Sequence, residues 1–275
     1  MLLFRGRRWL IIFDFIIIGG GPAGLSAAIT ARARNKSVAV ISGDITQSGF
    51  YKAREIDNYP GLPGISGSEL ASRLTAHAAG AGASLITGRV YSVLPGDGLF
   101  QIGYGNEVLE AKCVVLATGV SQTSLFPGEE KLLGSGVSYC ATCDGMLFRG
   151  KRVCVVCLTP DADGEADYLA SLGCDVVRLR TKNIVINGDT QVDSVTADGE
   201  EIKCEGIFVM RPAVAPHLLI SGIETLDGHI KIGASCETNI PGVFAAGDCT
   251  GKPYQVAKAV GQGQIAVLSA VEGLS

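Results

Sequence analysis

Ile16-Ile17-Ile18-Gly19-Gly20-Gly21-Pro22-Ala23-Gly24 decides how this chain folds. The isoleucines read as a buried strand that the glycines end. Gly19-x-Gly21-x-x-Gly24 then opens a helix, with Pro22 in the first turn, where its missing N–H costs nothing. Gly19 permits a tight turn, Gly21 lets a pyrophosphate approach the backbone, and Gly24 lets helix and strand pack closely. The helix start offers N–H groups and a positive dipole end to phosphates. The bland alternative is a glycine turn without a ligand, but the flanking strand and helix favour a nucleotide. One mark is missing: an acid at the end of the second strand would bind ribose, and the position reads Ser42-Gly43.

Upstream, Arg5, Arg7 and Arg8 precede the apolar run Trp9 to Ile18, which has the outline of a signal peptide. Asp14 interrupts that run, no small-residue cleavage site follows, and the run is too short to span a bilayer. Ile11 to Ile18 is therefore read as the first strand and Val38 to Ile41 as the second. A long connection holds Asn58-Tyr59-Pro60-Gly61, and Ser66 or Ser68 caps a helix running to Gly80. Short strands lead to Ala117-Thr118-Gly119.

Near Val120 a second unit opens, with a strand at Arg152 to Val156, a helix near Asp161 to Leu172 and a strand at Asp175 to Arg180. Further short strands run up to Met210. The chain then returns to the first unit through Val243-Phe244-Ala245-Ala246-Gly247-Asp248 and a helix from Tyr254 to Val271, apolar at Val256, Val260, Val267 and Val271. Gly261 and Gly263 inside that helix each cost about 1 kcal/mol relative to Ala, so a neighbour is expected close to that face. Both units share the order strand, turn, helix, strand. The expected fold is α/β: two dinucleotide-binding (Rossmann-like) three-layer domains, the second inserted into the first. The expected boundaries are 1–119 with 241–275, and 120–240.

The 275 residues are 47% hydrophobic, enough for a sizeable core, and the 37 glycines suit close α/β turns. A net charge of −4 argues against a general binder of nucleic acid or of membrane surfaces. No segment reads as a span, and a cytoplasmic location is expected. The nine cysteines are odd in number and do not suggest a disulfide framework; most sit beside Val or Ala, as small core residues.

Cys140-Ala141-Thr142-Cys143-Asp144 is different. Cys-x-x-Cys spacing lowers a thiol pKa and lets two thiols close reversibly, and Asp144 can carry a proton to a leaving thiolate. A zinc half-site is the alternative, but its partner pair would be Cys154 and Cys157, whose Val-Val filling reads as strand interior. No metal is expected. Asp248, at a strand end, can accept hydrogen bonds from sugar hydroxyls.

These motifs occur in an order that resembles the bacterial low-molecular-weight thioredoxin reductases: the glycine turn, Asn58-Tyr59-Pro60-Gly61, Ala117-Thr118-Gly119, Cys-Ala-Thr-Cys-Asp and Gly247-Asp248. The resemblance covers nearly everything beyond Ile11. It implies a homodimer, FAD in the outer domain and a swivelling inner domain that carries the disulfide. It implies that Cys143 faces the flavin, that Cys140 attacks the disulfide of thioredoxin, and that Asp144 is the acid. Carried over by position, the FAD contacts are Gly19, Gly21, Pro22, Ala23, Gly24, Ser42, Asn58, Thr118, Gly119, Gly247, Asp248, Gln255 and Val256.

The second nucleotide site departs from that pattern. The glycines expected for NADPH fall at Cys157, Leu158 and Thr159; Pro160 removes a donor, and Asp161 and Asp163 add negative charge. One carboxylate about 5 Å from a phosphate costs about 3 kcal/mol at an effective dielectric of 20. The phosphate grip is reduced to Arg180-Thr181-Lys182, and Arg211-Pro212 stands where a glycine turn is expected. With Gly251-Lys252-Pro253-Tyr254-Gln255 and Lys258-Ala259-Val260-Gly261, this resembles the ferredoxin-dependent flavin thioredoxin reductases. The function so implied passes electrons from reduced ferredoxin through FAD and the Cys-x-x-Cys pair to thioredoxin. Ferredoxins are acidic, so Arg149, Lys151 and Arg152, or Arg178, Arg180 and Lys182, are candidate docking cations. An NAD(P)H-dependent reductase with a degenerate site and a non-catalytic flavin-binding sensor are the alternatives.

Overall fold

The computed structural model describes residues 11–105, 107–119, 125–139, 141–159, 162–210 and 216–273, with the side chains of residues 47, 142, 143, 216 and 217 excepted. In chain order the first segment holds β1 (Ile12–Ile18), α1 (Pro22–Ala33), β2 (Val38–Ser42), α2 (Gly49–Lys52), α3 (Gly67–Gly80), β3 (Ser84–Thr87), β4 (Val90–Pro95), β5 (Phe100–Tyr104) and β6 (Glu107–Leu116). The middle segment holds β7 (Val137–Ser138), α4 (Ala141–Asp144), β8 (Arg152–Cys157), α5 (Ala162–Ser171), β9 (Asp175–Leu179), β10 (Ile184–Asn187), β11 (Ser194–Ala197), β12 (Glu200–Lys203) and β13 (Gly206–Met210). The last holds α6 (Pro216–Leu219), β14 (Thr225–Leu226), β15 (His229–Ile230), β16 (Val243–Ala245) and α7 (Val256–Gly273).

Two compact units result: Met1–Ser121 with Ala215–Ser275, and Gln122–Val214. The return to the first unit falls at Ala215, earlier than the expected 241. The reason is packing: Cys236 lies in the same buried cluster as Phe15 and Ile17, and its carbonyl accepts from Ala245 N–H at 2.9 Å.

In the first unit β1 lies between β2 and β6, parallel to both, and β3 extends the sheet beyond β2. Phe15 and Ile17 point to one face, with Val38, Val40 and Val115, and α1 and α7 cover them. β6 is long enough to serve twice on its other edge: its first half pairs antiparallel with β5, and Val114 to Leu116 pair parallel with β16. The C-terminal ends of β1, β2, β6 and β16 therefore lie side by side, the usual place for a ligand in such sheets.

In the middle unit β7, β13, β8 and β9 form a four-stranded parallel sheet in that order, beside an antiparallel ribbon of β10, β11 and β12. α5 packs on Val153, Val155, Phe208 and Met210, as hydrophobic alternation along β8 and β13 requires. The strand–turn–helix–strand plan is thus present in both units.

Asp14, the charge that interrupts the apolar N-terminal run, joins three strands. Its carboxylate accepts from Ser37 N–H at 2.8 Å and Ser37 Oγ at 2.9 Å, ahead of β2, and from Lys112 Nζ on β6 at 2.8 Å. Burial opposes ionisation, yet the Lys112 and Ser37 hydrogen bonds outweigh it and hold this carboxyl at about 2, against 3.8 ordinarily. α1 and α7 touch backbone to backbone: a Cβ on Gly263 would lie 2.1 Å from Ala23 O, and Ser26 Oγ donates to Val260 O at 2.7 Å. The expected close neighbour is there at Gly263 but not at Gly261, which faces open space.

Two outcomes follow. Gly263→Ala overpacks the helix contact and lowers stability by about 2 kcal/mol, whereas Gly261→Ala raises it by about 1 kcal/mol; urea unfolding of the two variants reads both signs. Because the folded pKa of Asp14 is depressed, its contribution is present above pH 3.8 and lost as pH falls towards 2. Asp14→Asn should therefore destabilise at pH 7 by about 2 kcal/mol and converge on the parent chain near pH 2.

Candidate functional site

At the end of β1 the backbone leaves no room for side chains. Gly19 has φ +118°, and a Cβ there would lie 2.1 Å from Ala117 O. One on Gly24 would lie 1.9 Å from Gly19 O, so the third glycine sets the close approach of α1 to its strand. Gly21 is the exception: a Cβ there meets nothing within 4 Å. Its bare position opens onto the start of α1, which has Pro22 at its head, no side-chain cap and no acid in its first turn. The N–H groups of Ala23 and Gly24 have no partner inside the helix.

Around this turn stand the other expected contacts. Ser42 closes β2, with its Oγ 2.7 Å from where a Gly20 Cβ would be. Gly119 has φ +69° beyond β6. Beside it, Thr118 Oγ1 is buried without a hydrogen-bond partner among the described residues. The Cys249 thiol faces the carbonyls of Leu116 and Ala246, each at 3.3 Å, and lies beside Thr118. An open glycine cradle and an orphaned buried hydroxyl are what a dinucleotide would fill and satisfy.

Asp248 begins a single helical turn, Asp248–Thr250, after Gly247 at φ +84°. Burial raises its carboxyl above the ordinary range, and the nearby Lys258 charge pulls the other way. Asn58 and Gln255, far apart in sequence, meet directly: Asn58 Nδ2 donates to Gln255 Oε1 at 2.5 Å. The Val256 side chain packs with Ile56, Ile65 and Leu70, so only its backbone N–H, at the first position of α7, is left to face a ligand. α7 begins there, two residues later than Tyr254.

In the middle unit Cys140 lies outside the described residues, as does the side chain of Cys143. Their frame is described. Ala141–Asp144 is one helical turn, and Ser138 Oγ donates to Asp144 Oδ2 at 2.7 Å. Tyr139, next to Cys140, donates its hydroxyl to Glu129 Oε1 at 2.8 Å, and Phe126 N–H binds Oε2 at 2.8 Å. Glu129 is 0% exposed, so a buried carboxylate anchors the strand that leads into the thiol pair. Sequence reading missed Ser138 and Glu129; nothing in their spacing marks them.

The corresponding turn after β8 is a different object. Leu158 N–H binds Met210 O at 3.1 Å, as Gly19 N–H binds Ile41 O at 2.8 Å in the first turn, and Ala162 N–H binds Thr159 O at 3.2 Å; the difference lies in the charges. Thr159 Oγ1 is also buried without a described partner, yet Asp163 and Glu165 occupy the first turn of α5. Of the cations expected to grip a phosphate, Arg180 pairs with Asp163 at 2.6 Å; the neighbouring Arg178 pairs with Asp163 at 3.6 Å and with Asp167. Arg152 pairs with Asp175 at 2.6 Å, and Lys151 lies 5.5 Å from the Phe148 ring. Each basic cluster is thus partly paired: Arg152 in one, Arg178 and Arg180 in the other. Pro160, Asp161, Arg211 and Pro212 lie outside the described residues.

Six cysteines, at 113, 154, 174, 204, 236 and 249, are buried, as core residues should be, and Cys157 is half-buried at the end of β8. Among the described residues no helix is long and apolar enough to cross a membrane.

Comparison with known proteins agrees with this geometry. The family model for pyridine nucleotide-disulphide oxidoreductases matches residues 13–178 and 162–263. A thioredoxin reductase of Bacillus subtilis (strain 168) is 32% identical over 296 residues, covering 94% of this chain and 93% of that protein. Among solved structures, a ferredoxin-flavin thioredoxin reductase from Clostridium acetobutylicum is 39% identical, covers 96% of this chain and 98% of its own, and superposes with a TM-score of 0.85. A thioredoxin reductase from Gloeobacter violaceus is 27% identical with a TM-score of 0.75, over 96% and 94% of the two chains. Shared motifs, a shared fold and identity over nearly the whole length place this chain in the pyridine nucleotide-disulphide oxidoreductase family, among its thioredoxin reductase-type members.

Proposed function

We propose that this protein is an FAD-dependent disulfide reductase that takes electrons from reduced ferredoxin rather than from NADPH and delivers them to thioredoxin. The observation that carries the reading is the contrast between two turns on one plan. After β1 the helix start is bare of acids and open at Gly21; after β8 the equivalent helix start carries Asp163 and Glu165, and its neighbouring arginines are already paired. The likeness to the Clostridium acetobutylicum ferredoxin-flavin enzyme supports it.

Gly19, Gly21, Pro22, Ala23 and Gly24 would hold the FAD pyrophosphate. Ser42, Asn58, Thr118, Gly119, Gly247, Asp248, Gln255 and Val256 would line the rest of it. Bound FAD, once reduced by two successive one-electron transfers from ferredoxin, would supply the two electrons that reopen the Cys140–Cys143 disulfide. The thiolate of Cys140 attacks one sulfur of the thioredoxin disulfide, forming a mixed disulfide and releasing one thiolate, which takes a proton from Asp144. Cys143, as thiolate, then attacks Cys140 and expels the second thioredoxin thiolate, leaving the Cys140–Cys143 disulfide. Ser138 orients Asp144 for the proton transfer. The family likeness further implies a homodimer, which light scattering would test.

Anaerobic stopped-flow separates the donors. Reduced ferredoxin should bleach the flavin band on the timescale of turnover and excess NADPH should not; rapid bleaching by NADPH would falsify the donor assignment. Cys140→Ser or Cys143→Ser should keep the flavin and its reduction by ferredoxin but abolish thioredoxin reduction. Asp144→Asn should lower thioredoxin turnover by about a hundredfold, the lower end of what a positioned acid contributes.

A further inference from the structure

We propose that Lys258 is a positioning residue for the flavin site: its ammonium group ties together the two ends of the turn that carries Asp248. The proposal rests on the flavin reading above and deepens it.

Lys258 is the third residue of α7, where a cation sits against the positive end of the helix dipole. Something must compensate for that placement. Its half-buried Nζ donates to Gly247 O at 3.1 Å and also to Gly251 O. Those two carbonyls bracket the turn Asp248–Thr250. Both bracketing residues are glycines with positive φ, +84° and +105°, the most mobile kind of backbone link. Thr250 Oγ1 closes the turn from within, on Gly247 O at 2.8 Å, and Lys258 ties its two ends from outside.

Gln262, four residues on and therefore on the same face of α7, holds the turn from the next step of the helix. Its Oε1 accepts from Gly247 N–H at 2.9 Å and from Thr250 Oγ1 at 3.1 Å. Asp248 itself makes no side-chain hydrogen bond to a described residue. Its position is thus set through the backbone, while its carboxylate oxygens stay available for a ligand hydroxyl. Lys258 also puts a positive charge at the Asp248 turn, which would favour a reduced, anionic flavin bound there over the neutral oxidised one. The clamp aims Asp248, and the charge favours the reduced cofactor.

The test uses the full chain with bound FAD, in Lys258→Met and Lys258→Arg. Lys258→Met should weaken oxidised FAD about tenfold. It should weaken reduced FAD by about a further tenfold, which is a midpoint potential about 30 mV more negative for this two-electron couple. Lys258→Arg, which keeps the charge, should restore the potential. A folded Lys258→Met with unchanged FAD affinity and potential overturns the proposal. If Lys258→Met does not fold, Lys258→Gln is set against Lys258→Arg: a potential that follows the charge supports the assignment, and equal potentials overturn it. A parent chain that takes up no FAD at all refutes the flavin reading, and the clamp with it.

Discussion

A phosphate and a carboxylate compete for the same few N–H groups at the start of a helix. In this protein the two units resolve that competition in opposite ways. α1 has no acid in its first turn and is preceded by a bare glycine, so its N–H groups are free for a ligand. α5 begins with Asp163 and Glu165, and Asp163 is also the partner of Arg180 and Arg178. Ion pairs this exposed add little to stability. Their effect is on binding: they cancel the positive charge that a nucleotide phosphate would need, while a carboxylate about 5 Å away would repel that phosphate by about 3 kcal/mol. Electrostatics alone can turn a cradle into a scaffold without altering the order of strand, turn and helix.

Close backbone packing supplies the other half of the arrangement. Gly24 brings α1 against the β1 turn, and Gly263 brings α7 against α1 at Ala23. The open start of α1 is therefore fixed against the middle of α7, the helix whose Lys258 and Gln262 reach the Asp248 turn. Asp14 ties β1 to the approach to β2 and to β6 through Ser37 and Lys112, which fixes the strands those ends belong to. In the middle unit, Glu129 and Ser138 do comparable work around the thiol motif. Packing and a handful of buried hydrogen bonds place groups whose chemistry is carried by others.

Much of this was legible from residues alone. The glycine turn announced itself because its spacing is local: Gly24 is required by contact with Gly19 O inside one strand–helix unit, although Gly19 itself is required by Ala117 O, beyond β6. The Cys140-x-x-Cys143 spacing is likewise a local mark, and its frame at Ser138 and Asp144 is described. The degenerate second turn could be seen in Cys157, Leu158 and Thr159 standing where glycines were expected. Boundaries were less secure. The return of the chain at Ala215 depends on Cys236 entering a core it has no sequence mark for, and Gly261 and Gly263 look alike in the helix although only one meets α1.

The sequence by itself determined which atoms are available: two strand–turn–helix units, a Cys-x-x-Cys pair with an acid beside it, and, at one helix start, side chains in place of glycines followed by acids. Only the tertiary structure decided which charges remain in play. Arg178 and Arg180 read as free cations along the chain, and become neutral surface when Asp163 and Asp167 reach them from a neighbouring helix. Lys258 reads as an ordinary helix lysine, and becomes a tie between Gly247 and Gly251 when the turn folds over it. The reason is range. Motif spacing acts between near neighbours in sequence, whereas the partner of a long charged side chain is fixed only when distant segments are brought together.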